Sequence, residues 1–128
     1  MSDQTASAVM TSPFVSVNPE VPITDAAKTM RDATIGSVMV VDEANRPEGI
    51  LTRSDFVDFV ADEENLAAEE IPATAEVIAT DIVSVSPETP LPEVADVMSE
   101  HAIHHLPVIS GSGKVVGIVT TTDLANAE

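Results

Sequence analysis

The sequence predicts an α+β fold made of two tandem β-α-β-β-α repeats that pack with pseudo-two-fold symmetry. Residues 9–56 align with residues 77–124 at a constant offset of 68 without a gap, and about fifteen aligned positions are identical. In both copies the apolar residues follow strand-like and helical spacings in the same order. Each copy with its connection is near the ~60 residues at which a hydrophobic core is marginal. We therefore expect the copies to share one core, with a cleft between them as the natural ligand site.

The first half of each copy predicts a short strand, a turn and a helix. Strands are expected at 14–17 and 82–85, and two prolines mark the turn after each strand. Thr24 is the expected N-cap of the first helix, and Pro92 suits the first turn of its counterpart. The apolar residues at helical spacing are Ile23, Ala26, Ala27 and Met30 in copy 1, and Leu91, Val94, Ala95 and Met98 in copy 2.

The second half of each copy predicts a strand pair and a second helix. In copy 2 the strands flank Gly111-Ser112-Gly113, a hairpin turn. The helices begin near Ser54 and Thr122, and the acidic connection 62–76 continues the first of them until Pro72. Only five residues follow Asp123, so we expect the last helix to be short. The expected strands are 37–42 and 48–52 in copy 1 and 106–110 and 115–120 in copy 2.

The composition is strongly acidic, with a formal net charge of −17 from 22 acidic and five basic residues. This charge argues against binding to nucleic acids and to anionic membranes, because both require a basic surface. The 44% of hydrophobic residues fall in periodic runs, which indicates a folded chain. We interpret the composition as haloarchaeal, because in molar salt a Debye length of about 3 Å screens self-repulsion. An ordinary acidic protein is the alternative.

The sequence also predicts where the protein works. It contains no cysteine, which excludes disulfides and thiolate chemistry. Residues 1–13 show neither a basic start nor an apolar stretch, and no apolar run reaches the length of a membrane span. We therefore expect a cytoplasmic protein.

A Thr-x-x-Asp sequence stands in both copies where a strand is expected to end and a helix to begin: Thr52-Arg53-Ser54-Asp55 and Thr120-Thr121-Thr122-Asp123. The unpaired N–H groups of a helix start favour an anion, and the hydroxyls can donate to a phosphate. The carboxylate can accept from two adjacent ribose hydroxyls. The same pattern is also a capping box, which needs no ligand. On the local sequence alone, capping is the stronger interpretation.

The doubled unit closely resembles the cystathionine-β-synthase (CBS) domain pair, or Bateman module. The resemblance covers nearly the whole chain. It rests on the segments VMTSPFVSVNP and VIATDIVSVSP, on AIHHLPVI, and on GILTRSD and GIVTTTD, in this order. It implies CBS repeat 1 at 9–68, a linker at 69–76 and CBS repeat 2 at 77–128.

This resemblance implies a regulatory module that binds an adenosine-type ligand in the cleft between repeats and signals to a partner protein. AMP, ADP, ATP and S-adenosylmethionine are all open as ligands, no cofactor is required, and a homodimer is expected. The Thr-x-x-Asp residues would hold phosphate and ribose, while the first strands and the segments before the middle strands would surround the adenine. The implied ligand-binding residues are Thr52, Arg53, Ser54, Asp55, Val15, Gly36 and Ser37 in copy 1, and Thr120, Thr122, Asp123, Val83, His104, His105 and Pro107 in copy 2.

Several of these residues have a second interpretation. Val15 and Val83 could simply fill the core, and Arg53 could be an exposed residue at a helix start as readily as a phosphate ligand. The two copies differ within the implied pockets, so we expect two sites of unequal affinity. The differing pairs are Gly36 and His104, Ser37 and His105, Met39 and Pro107, and Arg53 and Thr121.

Other chemistries find little support in the sequence. His101, His104 and His105 could suggest a metal site, but successive strand residues point apart and no cysteine joins them, so none is expected. Neither a nucleophile elbow nor a phosphate-binding Gly-rich loop occurs, so we do not expect an enzyme. The alternative to ligand sensing is a ligand-free dimerisation or protein-interaction module.

Overall fold

The computed structural model describes residues 4–12, 14–62, 71–76, 78 and 82–127. The chain divides into two compact units. The copy-1 unit is Val15–Ile82, and the copy-2 unit is Met1–Phe14 together with Val83–Glu128. The helical tail predicted within 63–70 and most of the entry sequence 77–80 lie outside the described residues.

Helices and strands follow one another in the order that the repeat predicts, and each unit contains both, which confirms the α+β class. Copy 2 has the same order of long elements as copy 1, with a shorter final helix. In chain order the elements are α1 (Ala6–Val9), β1 (Ser16–Val17), α2 (Ile23–Ala33), β2 (Ser37–Val41), β3 (Pro47–Thr52), α3 (Arg53–Ala61), a 3-10 turn (Thr74–Glu76), α4 (Leu91–Glu100), β4 (His105–Ile109), β5 (Val115–Thr120) and α5 (Thr121–Ala125).

The sheets differ between the units because of one proline. In the copy-1 unit β1 runs parallel to β2, and β2 pairs antiparallel with β3. The Met39 amide donates to the carbonyl of Val15 at 3.3 Å in this sheet. In copy 2 the aligned residue is Pro107, which has no amide proton to donate. The strand predicted at 82–85 is therefore reduced to one bridge between Val85 and Val108, beside the antiparallel pair β4–β5. The strand predicted at 14–17 is also too long, because β1 covers only Ser16–Val17.

Each of the two units contains a cluster of buried apolar residues. The helices contribute residues at the predicted helical spacing, and the strands contribute the residues that face them. In the copy-1 unit the cluster is Ile23, Ala26, Met30, Val38, Val40 and Leu51. In the copy-2 unit it is Ala6, Val85, Val94, Met98, Leu106, Val108 and Val119.

The segments that precede the two copies are exchanged between the units. We call residues 4–12 and 71–78 the leading segments. Residues 4–12 lead into copy 1 and include its first residues, but they belong to the copy-2 unit. There the Ala6 amide donates to Thr89 at 2.9 Å and Leu91 donates to Gln4 at 3.2 Å. A third bond runs from the Ser7 amide to the Pro87 carbonyl at 3.0 Å.

The other leading segment makes the same three bonds in the copy-1 unit, each shifted by 68 residues. The amides of Thr74 and Ala75 donate to Val21 and Pro19, both at 2.8 Å, and Ile23 donates to Pro72 at 2.9 Å. The Thr74 side chain is fully buried, and its hydroxyl also donates to the Val21 carbonyl at 2.9 Å. The repeat therefore extends to the backbone hydrogen bonds of segments whose side chains differ.

This exchange explains why Thr24 is not an N-cap. The helix α2 begins two residues earlier than predicted, at Ile23, and its N-cap is Pro22, which makes no side-chain capping bond. The first helical amide, that of Ile23, is already paired with the Pro72 carbonyl of the leading segment. A backbone carbonyl thus satisfies a donor that a capping side chain usually takes. Pro92 lies in the first turn of α4, as predicted.

The close approach of a leading segment to β5 gives a test of this arrangement. A Cβ added to Gly117 would lie 2.8 Å from Cγ of Met10 and 3.0 Å from the carbonyl oxygen of Thr11. We expect Gly117→Ala to lower the free energy of unfolding by about 1–3 kcal/mol, because the leading segment must shift. Chemical denaturation followed by circular dichroism measures this. Gly111→Ala is the control, since nothing lies within 4 Å of its Cβ; equal stability of the two variants would contradict the packing.

Candidate functional site

The first Thr-x-x-Asp sequence forms the junction between β3 and α3. Thr52 is the N-cap, with extended backbone angles, and its hydroxyl accepts a hydrogen bond from the Asp55 amide at 3.4 Å. In return Oδ2 of Asp55 accepts from the Thr52 amide at 2.7 Å and from its hydroxyl at 3.1 Å. This is a complete capping box, so the structural role that the sequence suggested is present.

The second Thr-x-x-Asp sequence repeats this geometry between β5 and α5. Oδ2 of Asp123 accepts from the Thr120 amide at 2.9 Å, and the Thr120 hydroxyl accepts from the Asp123 amide at 3.1 Å. The two copies thus hold the same pair of residues in the same way. α5 has five residues against nine in α3, in agreement with the short final helix predicted.

Each box leaves polar groups at the helix start unused. Both aspartates use Oδ2 for capping, and among the described residues no hydrogen bond reaches Oδ1 of Asp55 or of Asp123. The side chains of Ser54 and Thr122, which stand at the second position of each helix, are exposed. A carboxylate oxygen and a hydroxyl therefore remain at each junction, where they could accept from and donate to a ligand.

A left-handed residue brings the segment before β2 to the start of α3. Thr34 ends α2 with φ 56° and ψ 48°, and Ile35 donates back to the Met30 carbonyl at 3.1 Å. The chain then reverses, so that the Gly36 carbonyl accepts from the Arg53 amide at 3.2 Å. Ser37, which is buried, lies opposite Thr52 in the β2–β3 register.

The corresponding turn in copy 2 places two histidines at the start of α5. Ala102 has φ 53°, and the His104 carbonyl accepts from the Thr121 amide at 3.2 Å. His104 is exposed, whereas His105 is half-buried and lies opposite Thr120. The structure therefore brings Gly36 and Ser37 beside Thr52–Asp55, and His104 and His105 beside Thr120–Asp123.

The residues predicted to surround the adenine differ in how deeply they are buried. Val15 is half-buried and packs against the copy-1 core, with its carbonyl bonded to Met39. Val83 is half-buried against the copy-2 core. Pro107 is fully buried, and its carbonyl accepts from the Val85 amide at 3.1 Å. Val15 and Val83 therefore both pack against a core, which is the second interpretation that the sequence left open for them.

The histidines do not assemble into a metal site within the described part of the chain. His101 follows α4, and His104 and His105 are adjacent positions at the start of β4. No group of three or more His, Cys, Asp or Glu side chains that could hold an ion is found among the described residues.

Sequence reasoning did not find the two carbonyls that connect these segments, those of Gly36 and His104. Each accepts from the first amide of the following helix. A backbone carbonyl carries no residue signature, so only the aligned positions of Gly36 and His104 could have suggested them.

A comparison with known families identifies the repeated domain. The model of the CBS domain family matches residues 6–62 and again residues 74–128. The chain belongs to the CBS domain family and contains two such domains. An uncharacterized 17.7 kDa protein of Acidianus ambivalens is 34% identical to the pair over 122 residues, which are 94% of this chain and 71% of that protein.

Solved structures confirm the fold of the CBS pair. The CBS domain pair of protein MJ0100, solved with 5′-methylthioadenosine and S-adenosyl-L-methionine, superposes with a TM-score of 0.86 at 24% identity, over 97% of this chain and 94% of that one. CBSX2, solved with AMP, gives a TM-score of 0.84 at 21% identity, over 95% and 93%. The cytosolic domain of the Mg²⁺ channel MgtE, solved with ATP, gives 0.79 at 28% identity, over 98% and 49%.

Other relatives contain a CBS pair as a smaller part. The inosine-5′-monophosphate dehydrogenase of Nitrosopumilus maritimus is 28% identical over 96% of this chain, but the match spans only 24% of that enzyme. Among the described residues, no helix of the CBS pair is long and apolar enough to cross a bilayer.

The capping boxes give a stability prediction. Thr52→Ala removes the hydroxyl that accepts from the Asp55 amide, so we expect a loss of about 1 kcal/mol in the free energy of unfolding. Thermal or chemical unfolding of the purified protein measures it. Ser54→Ala is the matched control, because its exposed hydroxyl makes no hydrogen bond to the described residues. If both substitutions changed the free energy of unfolding equally, the capping box would not contribute to stability.

Proposed function

We propose that this CBS pair is a regulatory module that binds an adenosine-type ligand at its two Thr-x-x-Asp junctions and signals occupancy to a partner protein. One observation carries the proposal. Both junctions hold an aspartate in place with one carboxylate oxygen and leave the other oxygen, with an exposed hydroxyl, at a helix start. A capping box by itself would not require the second oxygen.

The ligands of structural relatives support an adenosine-type compound. MJ0100 was solved with 5′-methylthioadenosine and S-adenosyl-L-methionine, CBSX2 with AMP, and MgtE with ATP. These compounds share adenine and ribose and differ in what the ribose 5′ position carries. The shared part fits the aspartate, whose Oδ1 can accept from ribose hydroxyls. AMP, ADP, ATP and S-adenosylmethionine all remain candidates for this chain.

We assign the remaining site residues from their positions. Ser54 and Thr122 donate from the helix start to the 5′ substituent, together with unpaired amides of the first turn. Gly36 and Ser37 in one unit, and His104 and His105 in the other, border the same junction and lie near the base. Val15, Val83 and the buried Pro107 form the apolar support behind it. The protein acts as a sensor, not a catalyst, and requires no cofactor.

A binding experiment separates this function from capping. In Asp55→Asn the amide oxygen still caps the Thr52 amide, but the position of Oδ1 becomes an NH₂ group that cannot accept from a ribose hydroxyl. We expect AMP affinity to fall about tenfold or more, since a hydrogen bond to a charged group contributes about 1.5–3 kcal/mol. Isothermal titration calorimetry in 1 M KCl measures this while screening the net charge of −17.

The ribose contact is tested within the same titration by using 2′-deoxy-AMP. The wild-type protein should prefer AMP to the deoxy analogue, and that preference should disappear in Asp55→Asn with Asp123→Asn. Asp58→Asn is the control, as an exposed acid on the same helix. If no adenine nucleotide or S-adenosylmethionine binds, and the asparagine variants change stability alone, the chain is the alternative ligand-free interaction module.

We further propose that the module acts as a homodimer that uses the outer face of α3. Val57 and Val60, one turn apart on this helix, are 66% and 53% exposed, and Ile71 is the only other large apolar side chain among the described residues that is exposed. Exposed apolar side chains grouped on one helix face favour protein contact. The position aligned with Val57 in copy 2 is Ala125, so this apolar face is a feature of copy 1.

Light scattering after size-exclusion chromatography tests the dimer. We expect the wild type to elute as a dimer in 1 M KCl and Val57→Asp with Val60→Asp to elute as a monomer, because a buried, unpaired carboxylate is costly. Asp58→Asn, which changes the same helix without adding charge to the apolar face, should remain dimeric. A double variant with the wild-type mass would exclude α3 from the interface.

A further inference from the structure

We propose that Arg53 makes the copy-1 site selective for adenosine ligands with an anionic 5′ phosphate, whereas the copy-2 site lacks this selectivity. The inference rests on the proposed function, because it concerns the same two junctions. It goes further by assigning a ligand class to each site. The copy-1 site prefers phosphorylated adenosines, whereas the copy-2 site binds uncharged or cationic adenosine derivatives as well as it binds phosphorylated ones.

The two junctions can be compared directly because their backbones are held alike. Arg53 and Thr121 are the first residues of α3 and α5, and each amide donates at 3.2 Å to the aligned residue of the preceding turn. Both follow a threonine N-cap in a complete capping box. The side chains at 53 and 121 therefore leave equivalent points of equivalent turns, and their charges differ by one full unit.

Helix stability does not account for an arginine at position 53. The start of a helix carries the positive end of its dipole, so a cation in the first turn is unfavourable and an acid is favoured. The chain has 22 acidic residues and only five basic ones, yet one of those five stands here. An anion bound at the junction would reverse the sign of this interaction, since it would lie close to both the guanidinium and the helix start.

The guanidinium of Arg53 is also available. Arg53 is exposed, and among the described residues it forms neither an ion pair nor a side-chain hydrogen bond. Arg31, by contrast, is paired with Asp32 at 3.0 Å. In a chain of charge −17, an arginine that has no acidic partner in the described part of the chain is available to pair with a ligand.

The balance of charge differs accordingly between the sites. A 5′ phosphate carries about −1.5 to −2 charges near neutral pH and is repelled by the capping carboxylate of either site. In copy 1 Arg53 offsets that repulsion, but in copy 2 Thr121 cannot. His104, whose carbonyl accepts from the Thr121 amide at 3.2 Å, replaces Gly36 there. Because histidine changes charge between pH 5 and 8, the comparison is made at pH 8.

The test compares AMP with adenosine, one site at a time. Asp123→Asn weakens copy 2 and reports copy 1; Asp55→Asn weakens copy 1 and reports copy 2. Titration calorimetry in 1 M KCl gives the ratio of the adenosine Kd to the AMP Kd. In the copy-1 background, Arg53→Thr should lower this ratio about twofold to fivefold, the range of an exposed ion pair, and Arg53→Lys should largely retain it. In the copy-2 background, Thr121→Arg should raise the ratio by a similar factor.

Lys28→Thr is the charge-matched control, since it removes an exposed cation from α2 and should leave the ratio unchanged. The inference is overturned if adenosine and AMP bind but the ratio does not respond to Arg53→Thr; the proposed function then stands. If neither compound binds the wild-type protein or either of the single-site variants Asp55→Asn and Asp123→Asn, the proposed function fails, and this inference fails with it.

Discussion

Backbone hydrogen bonds from the leading segments are the constraint on which both units depend. A helix start presents amides that need acceptors, and neither α2 nor α4 has a capping side chain. The acceptors for Ile23 and Leu91 are carbonyls of Pro72 and Gln4, which belong to segments leading into the other copy. Ala6 and Thr74, both fully buried, fix those segments in place. The helices in turn carry the residues around which each core is packed.

The candidate sites depend on the helices through a single turn in each unit. Left-handed backbone at Thr34 and Ala102 ends the helix and redirects the chain, although such a conformation is unfavourable for residues other than glycine. The turn brings a carbonyl to the first amide of the next helix, and the capping box orients the aspartate beside it. The two oxygens of that aspartate thereby differ: Oδ2 accepts from the N-cap residue, and no hydrogen bond from the described residues reaches Oδ1.

Local signals predicted most of the fold and the outline of the sites. Apolar spacing located α2 and α4, and Thr-x-x-Asp located both capping boxes, because these features depend on neighbouring side chains. The start of α2 was missed, since its first amide is bonded to a carbonyl about fifty residues away. The first strand of copy 2 was predicted too long, because the proline that shortens it lies on the pairing strand. Both errors concern backbone partners that are distant in sequence.

The exchange of leading segments also has a consequence for how such a chain could originate. A polypeptide with one copy and one leading segment could not use its own segment in the manner seen here, but two identical polypeptides could each supply the other. Tandem duplication of the gene would join them without requiring a new contact. The two halves would then be free to diverge in the residues that line their junctions, as the arginine and the threonine at the starts of α3 and α5 have done.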